Sequence, residues 1–166
     1  MSNPNGREKT ALIAEALTPD RVCFLDAGSK DPALRVLAEH IAASPHAADS
    51  KELVDAIFRR EELMSTGIGL GLAVPHVRLA SVRELIMAVG ISRDGLTDYA
   101  SLDDGPVHIV FMIAAPAGQH AEYIRLLSAI STRAKQLNGR LRECPDEQTA
   151  YRLLTANDTS ESSGGL

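Results

Sequence analysis

Tryptophan is absent, and three Phe and three Tyr are the only aromatic residues among 166. The core must therefore be aliphatic, and few rings are available to stack on nucleic-acid bases. Cysteine is nearly absent too. Cys23 and Cys144 form no CxxC pair, which excludes a disulfide framework and reads as a reducing, cytoplasmic setting. Positive charge is not in excess: 17 Lys and Arg stand against 22 Asp and Glu, for a formal charge of -5. A nucleic-acid partner and a polybasic membrane anchor both lack their electrostatic footprint. Long apolar runs are missing as well. The longest, 109–118, contains Pro116 and falls well short of the roughly 20 residues a membrane-spanning helix requires. The polar start, Met1-Ser2-Asn3-Pro4-Asn5-Gly6, carries no hydrophobic signal region. His and Cys residues do not occur at the short spacings of metal sites, so no metal is expected.

What is present describes an ordinary folded domain. Apolar residues make up 45% of the chain, and a single domain of this length buries roughly 70% of its unfolded surface. Residues 1–8 and 157–166 lack apolar periodicity and read as flexible ends around one domain at 9–156. The first expected element is a strand at 22–25. A helix follows over about 31–43, with Leu34, Leu37, Ala38 and Ile41 at helical spacing and Pro32 in its first turn. A second helix starts at Asp49 with Glu52 completing a capping box. Strands are expected at 70–74, stopped by Pro75-His76, and at 84–91 and 107–113, the latter two bracketed by turns at Asp94-Gly95 and 103–106. A long helix carries Tyr123, Leu127, Ile130, Ala134 and Leu137 and is expected to stop at Asn138-Gly139. A short last helix opens near Asp146. Helices on both sides of a run of central strands predict an α/β sandwich, a single domain with a mixed central sheet.

Among five histidines, His40, His46 and His108 read as surface or packing residues. His76 follows Pro75 at an expected strand end, where loops more often carry function. The glycines before it, Gly67-Ile68-Gly69-Leu70-Gly71, match neither a dinucleotide fingerprint nor a P-loop, and taken alone they read as a tight turn. His120 falls in the first turn of the long helix, where free N–H groups and partial positive charge suit a phosphate. Arg60 ends the second helix beside Glu61 and Glu62, favourable for a solvated cation near a helix C-terminus.

The whole stretch Arg60-Glu61-Glu62-Leu63-Met64-Ser65-Thr66-Gly67-Ile68-Gly69-Leu70-Gly71-Leu72-Ala73-Val74-Pro75-His76 closely resembles the signature of type 2 enzyme IIA of the bacterial phosphoenolpyruvate-dependent sugar phosphotransferase system. This is the mannitol, fructose and nitrogen-related class. The likeness runs from about Leu17 to Leu154, through the 106–111 strand and the histidine at the following helix. It implies an α/β sandwich, His76 as phosphoryl acceptor, and His120 and Arg60 beside it. Ser65 or Thr66 would orient the His76 ring or bond the phosphate. A histidine phosphocarrier protein would be the donor, a IIB component or a regulatory target protein the acceptor, with no cofactor. No IIB domain or membrane segment lies in these residues, which tilts the expectation toward a regulatory, nitrogen-related role over a sugar-uptake relay. Retention of Arg60, His76 and His120 together argues against a module that only binds partners. Two positions depart from the family pattern: Val77 where Gly is frequent, and Leu70 where Asn is common. Both make the loop more apolar, which bears on partner choice and on placement of the phosphoryl group.

Overall fold

The structure, a computed structural model, describes residues 4–26 and 28–156. Twelve elements follow in order: helix α1 (Pro4–Ala16), a 3-10 turn (Pro19–Arg21), β1 (Val22–Phe24), α2 (Lys30–Ala42), α3 (Ser50–Leu63), β2 (Gly67–Gly69), β3 (Leu72–Ala73), β4 (His76–Leu79), β5 (Ile86–Leu96), β6 (Val107–Pro116), α4 (His120–Arg142) and α5 (Glu147–Thr155). They build the expected mixed sheet between helical layers. The strand order is β1-β5-β6-β3-β2, with β4 also paired to β6.

Strand β6 organises the sheet because it is buried on both faces throughout, the pattern of a central strand. Ile109, Phe111, Ile113 and Ala115 join the core beneath α1, α4 and α5. Val110, Met112 and Ala114 join the core beneath α2 and α3. This two-residue alternation divides one apolar run between two cores. β5 lies antiparallel along one edge of β6, while β3 and then β4 lie parallel along the other.

Four boundaries differ from the sequence reading. No element is expected ahead of 22, yet α1 starts at Pro4. Its buried stripe is short, with Ile13, Ala16 and the following Leu17 seated in the core, so tertiary contact sustains a helix that periodicity hardly marks. The strand expected at 70–74 shortens to β3, and Val74-Pro75 links it to β4, which His76 opens against Ile113. Asp94-Gly95 lies inside β5, where the register with β6 shifts and Gly95 takes φ +90°. Asn138-Gly139 lies inside α4, because Leu141 and Cys144 beyond it are core residues. Burial outweighs the roughly 1 kcal/mol cost of a helical glycine. The residues 1–3 and 157–166 of the expected flexible ends lie outside those described.

The two departures from the family pattern separate in the structure. Val77 is 8% exposed and packs in the α2–α3 core, so its bulk fills a core and leaves the loop unchanged. Leu70 is 59% exposed and holds φ +59° between Gly69 and Gly71. A left-handed conformation costs a branched residue roughly 1–2 kcal/mol and Asn much less. Leu70→Asn is therefore expected to stabilise the fold by about 1 kcal/mol, read as a Tm increase of roughly 2–4 °C. A lower Tm in thermal unfolding would show that Leu70 is compensated by packing.

Candidate functional site

Alternation along β4 builds the site. Val77 enters the α2–α3 core, so His76 and Arg78 project from the opposite face, the side occupied by α4. There Tyr123, one turn into α4, stands with its ring centre 5.6 Å from that of His76 and 6.4 Å from that of His120. The Arg78 guanidinium lies 5.8 Å over the same Tyr123 ring. Its Nη1 is 2.8 Å from Nδ1 of His120, the first residue of α4. Arg60 comes from the last turn of α3, where Nη1 donates to the Met64 carbonyl at 3.0 Å. The structure thus gathers His76, His120 and Arg60 from three elements, together with Arg78 and Tyr123.

The His76 ring is oriented by its own backbone neighbourhood. Nδ1 lies 2.8 Å from the Val74 carbonyl oxygen. A carbonyl only accepts, so Nδ1 carries the proton and Nε2 keeps its lone pair. Val74 is itself held, donating its N–H to the Thr66 carbonyl at 3.1 Å. Burial moves the His76 imidazole below its ordinary value of 6.5; Arg60 and Arg78 push the same way, while the Val74 bond and Glu61 oppose. The downward shift favours the neutral ring, in which Nε2 holds a lone pair.

The two hydroxyls named with the site, Ser65 and Thr66, line the same hollow as His76 and bond within the scaffold. Ser65 Oγ donates to the Ala100 carbonyl at 2.6 Å. Thr66 is buried, and its Oγ1 bonds Glu61 Oε2 at 2.8 Å and Tyr99 Oη at 2.7 Å. Both hydroxyls make these bonds within the scaffold, and the His76 ring meets the Val74 carbonyl. The scaffold is close-fitting. A Cβ on Gly67 would stand 2.3 Å from the Ala100 oxygen, which explains one glycine of the motif by approach to the 98–103 loop. Asp103 in that loop accepts from the Leu70 and Gly105 N–H groups.

Two hollows meet at Arg60 and His76. One, of about 570 Å³, is cationic and includes Arg78 and Tyr123. The other, of about 580 Å³, is apolar, with Met64, Ile68, Leu102, Ile124 and Leu127 on its walls. Leu63, Met64 and Leu102 are 83%, 70% and 83% exposed.

Three features escaped the sequence reading. Arg78 needed β4 to be seen as a strand, since only then does His-x-Arg put both on one face. Tyr123 registered as one apolar residue of a helix stripe. Glu61 sits in a charged run but is 6% exposed and pairs with Lys30 Nζ at 3.0 Å. The other histidines stay outside the site. His108 is buried, its Nδ1 2.9 Å from the Ser92 carbonyl, and His46 faces Glu84 at 3.4 Å. Among the described residues, no helix is long and apolar enough to cross a membrane.

Comparison with known proteins places this geometry in a family. The family described as phosphoenolpyruvate-dependent sugar phosphotransferase system, EIIA 2, matches residues 15–157. The chain is 32% identical over 146 residues to the nitrogen regulatory protein of Pseudomonas aeruginosa, covering 86% of this chain and 94% of that one. It is 39% identical over 112 residues to the fructose-specific EIIABC component of Bacillus subtilis, covering 66% of this chain and 18% of that longer protein. Its fold matches the crystal structure of nitrogen regulatory protein IIA-Ntr from Neisseria meningitidis with a TM-score of 0.78 at 24% identity, over 87% of this chain and 99% of that one.

Proposed function

Because the chain belongs to the EIIA type 2 family of the phosphoenolpyruvate-dependent sugar phosphotransferase system, we propose that it carries a phosphoryl group on Nε2 of His76. The donor is a phosphohistidine carrier protein, and the phosphorylation state of His76 sets the grip of this protein on a regulatory target in the cytoplasm. The observation that carries the reading is the bare Nε2 of a neutral His76, with the guanidinium groups of Arg60 and Arg78 lining the same hollow.

The chemistry needs little more. The Nε2 lone pair attacks phosphorus in line and forms the new P–N bond. The donor's P–N bond breaks, and its electron pair returns to the donor imidazole. Charge develops on the three equatorial oxygens, where fixed cations and the first turn of α4 stabilise it. As the P–N bond forms, the His76 ring takes on positive charge. The Val74 carbonyl, already accepting from Nδ1–H, offsets that charge. The adjoining apolar hollow and the exposed Met64 and Leu102 give a donor protein a surface to dock on while its phosphohistidine enters from solvent.

The match to a nitrogen regulatory protein over 86% of this chain and 94% of that one supports the regulatory role. Phosphorylation adds about two negative charges at an exposed surface, enough to reverse a docking preference. The match to a fructose-specific component supports the second reading, a relay that hands phosphate to a separate IIB component. Incubation with phosphoenolpyruvate, enzyme I and the phosphocarrier protein should add about 80 Da to His76, in an acid-labile linkage. An unmodified protein with a competent donor would leave only a partner-binding module. Release of the label to purified IIB components, against phosphate-dependent binding of a regulatory target, separates relay from switch.

A further inference from the structure

We propose that Arg78 is a positioning residue: it holds His120 as a neutral imidazole whose single proton is on Nε2. This deepens the carrier reading and rests on it for its functional meaning. Arg78 Nη1 lies 2.8 Å from His120 Nδ1. A guanidinium has donors and no acceptor. In this contact Nδ1 must therefore be the acceptor, and the proton of a neutral ring must be on Nε2. A doubly protonated His120 has no lone pair to offer and is incompatible with the pair.

The pair is exposed, and its geometry comes from where the strand places Arg78. Arg78 stands two residues after His76 on the same face of β4 and pairs with Ala115 of β6, so its backbone is fixed relative to the acceptor. Its guanidinium lies over Tyr123, whose ring stands within 5.6 and 6.4 Å of His76 and His120. The Val74 carbonyl and the Arg78 guanidinium thus set two imidazoles in complementary states. His76 has its proton on Nδ1 and a bare Nε2; His120 has a bare Nδ1 and a protonated Nε2. The first is built to attack, the second to donate a hydrogen bond to an equatorial phosphoryl oxygen. A His120 turned over would present a lone pair to that oxygen and repel it.

The test uses the full chain labelled with ¹⁵N-histidine, as wild type, Arg78→Met and Arg78→Lys. In the unphosphorylated protein, His120 should show a protonated Nε2 and a hydrogen-bonded Nδ1. Arg78→Met should move the Nδ1 resonance to its unbonded position, and Arg78→Lys, which keeps a donor, should restore part of the shift. With the phosphocarrier protein as donor, Arg78→Met should lower kcat about tenfold with KM unchanged, as expected for lost positioning. A His120 proton on Nδ1, an Nδ1 resonance indifferent to Arg78→Met, or a change in KM alone would overturn the proposal. Phosphoramidate, a donor that needs no docking, separates the two levels. If it and the carrier protein both leave wild-type His76 unmodified while the nitrogen resonances behave as described, the carrier reading falls and the Arg78–His120 pairing stands.

Discussion

His76→Ala is expected to abolish phosphoryl acceptance outright, with no acid-labile adduct by mass spectrometry under conditions that fully modify the wild type. No other group at the site has the chemistry to take over. Its other cations, Arg60 and Arg78, offer no lone pair, and the bare nitrogen of His120 is turned to Arg78. The same reasoning sets the pH dependence. The His76 imidazole titrates below its ordinary value of 6.5, chiefly through burial, and only its neutral form attacks. Acceptance should be flat with pH above about 6.5 and fall only as pH drops through the lowered value. Arg60→Met removes one charge that disfavours protonation, so the falling limb should move to higher pH. It also removes a cation from the transition state, costing on the order of 10²-fold in rate if Arg60 contributes as a fixed donor does. A limb that moves to lower pH instead would show that Arg60 does not act on His76 through its charge.

Glu61→Ala is expected to be the most damaging substitution for the fold. Glu61 sits at 6% exposure in the last turn of α3. Its carboxylate accepts from the Thr66 N–H at 3.0 Å and the Thr66 hydroxyl at 2.8 Å, and meets Lys30 Nζ at 3.0 Å. Lys30 in turn lies 4.6 Å over the Tyr99 ring, whose hydroxyl bonds Thr66. Removing the carboxylate leaves a largely buried ammonium without its ion pair and the Thr66 N–H unsatisfied, which typically costs about 3–5 kcal/mol. For a chain of this size that is a Tm decrease of roughly 10 °C or more, measurable by thermal unfolding. Glu61→Gln keeps an acceptor for Thr66 and should lose less. Where the Ala variant is still folded, transfer should slow as well. Thr66 anchors Val74 through its backbone, and Val74 orients His76. A Glu61→Ala variant of unchanged Tm would show that the pair offsets its own desolvation and no more.

Much of the layout was legible from local chemistry. The Asp49 cap accepts the Glu52 N–H at 3.0 Å as the capping box requires, and the Asp146 cap accepts the Thr149 N–H at 2.7 Å. Caps are written in adjacent residues, so the chain alone reveals them. The 34–41 stripe and the apolar run of β6 were equally plain, because 3.6- and 2-residue periods are local properties. Turn chemistry misled where tertiary contact outweighed it. Asn138-Gly139 looks like a helix stop and Asp94-Gly95 like a hairpin turn, yet Leu141 carries α4 onward and β6 holds β5 together across its register shift.

By itself, the sequence determined the mixed α/β class, the family motif from Arg60 to His76, and the candidate histidine, since each depends on residue type and spacing along one strand of chain. Only the tertiary structure decided which nitrogen of that histidine is free, that Arg78 and Tyr123 belong beside it, and that Glu61 is a buried anchor. Those facts turn on atoms a few ångströms apart in space: a carbonyl two residues away whose angle to Nδ1 the β3–β4 junction fixes, and a guanidinium from β4 against an imidazole of α4 that is distant in sequence. Hydrogen-bond direction and desolvation act over such distances, and only packing brings them within reach.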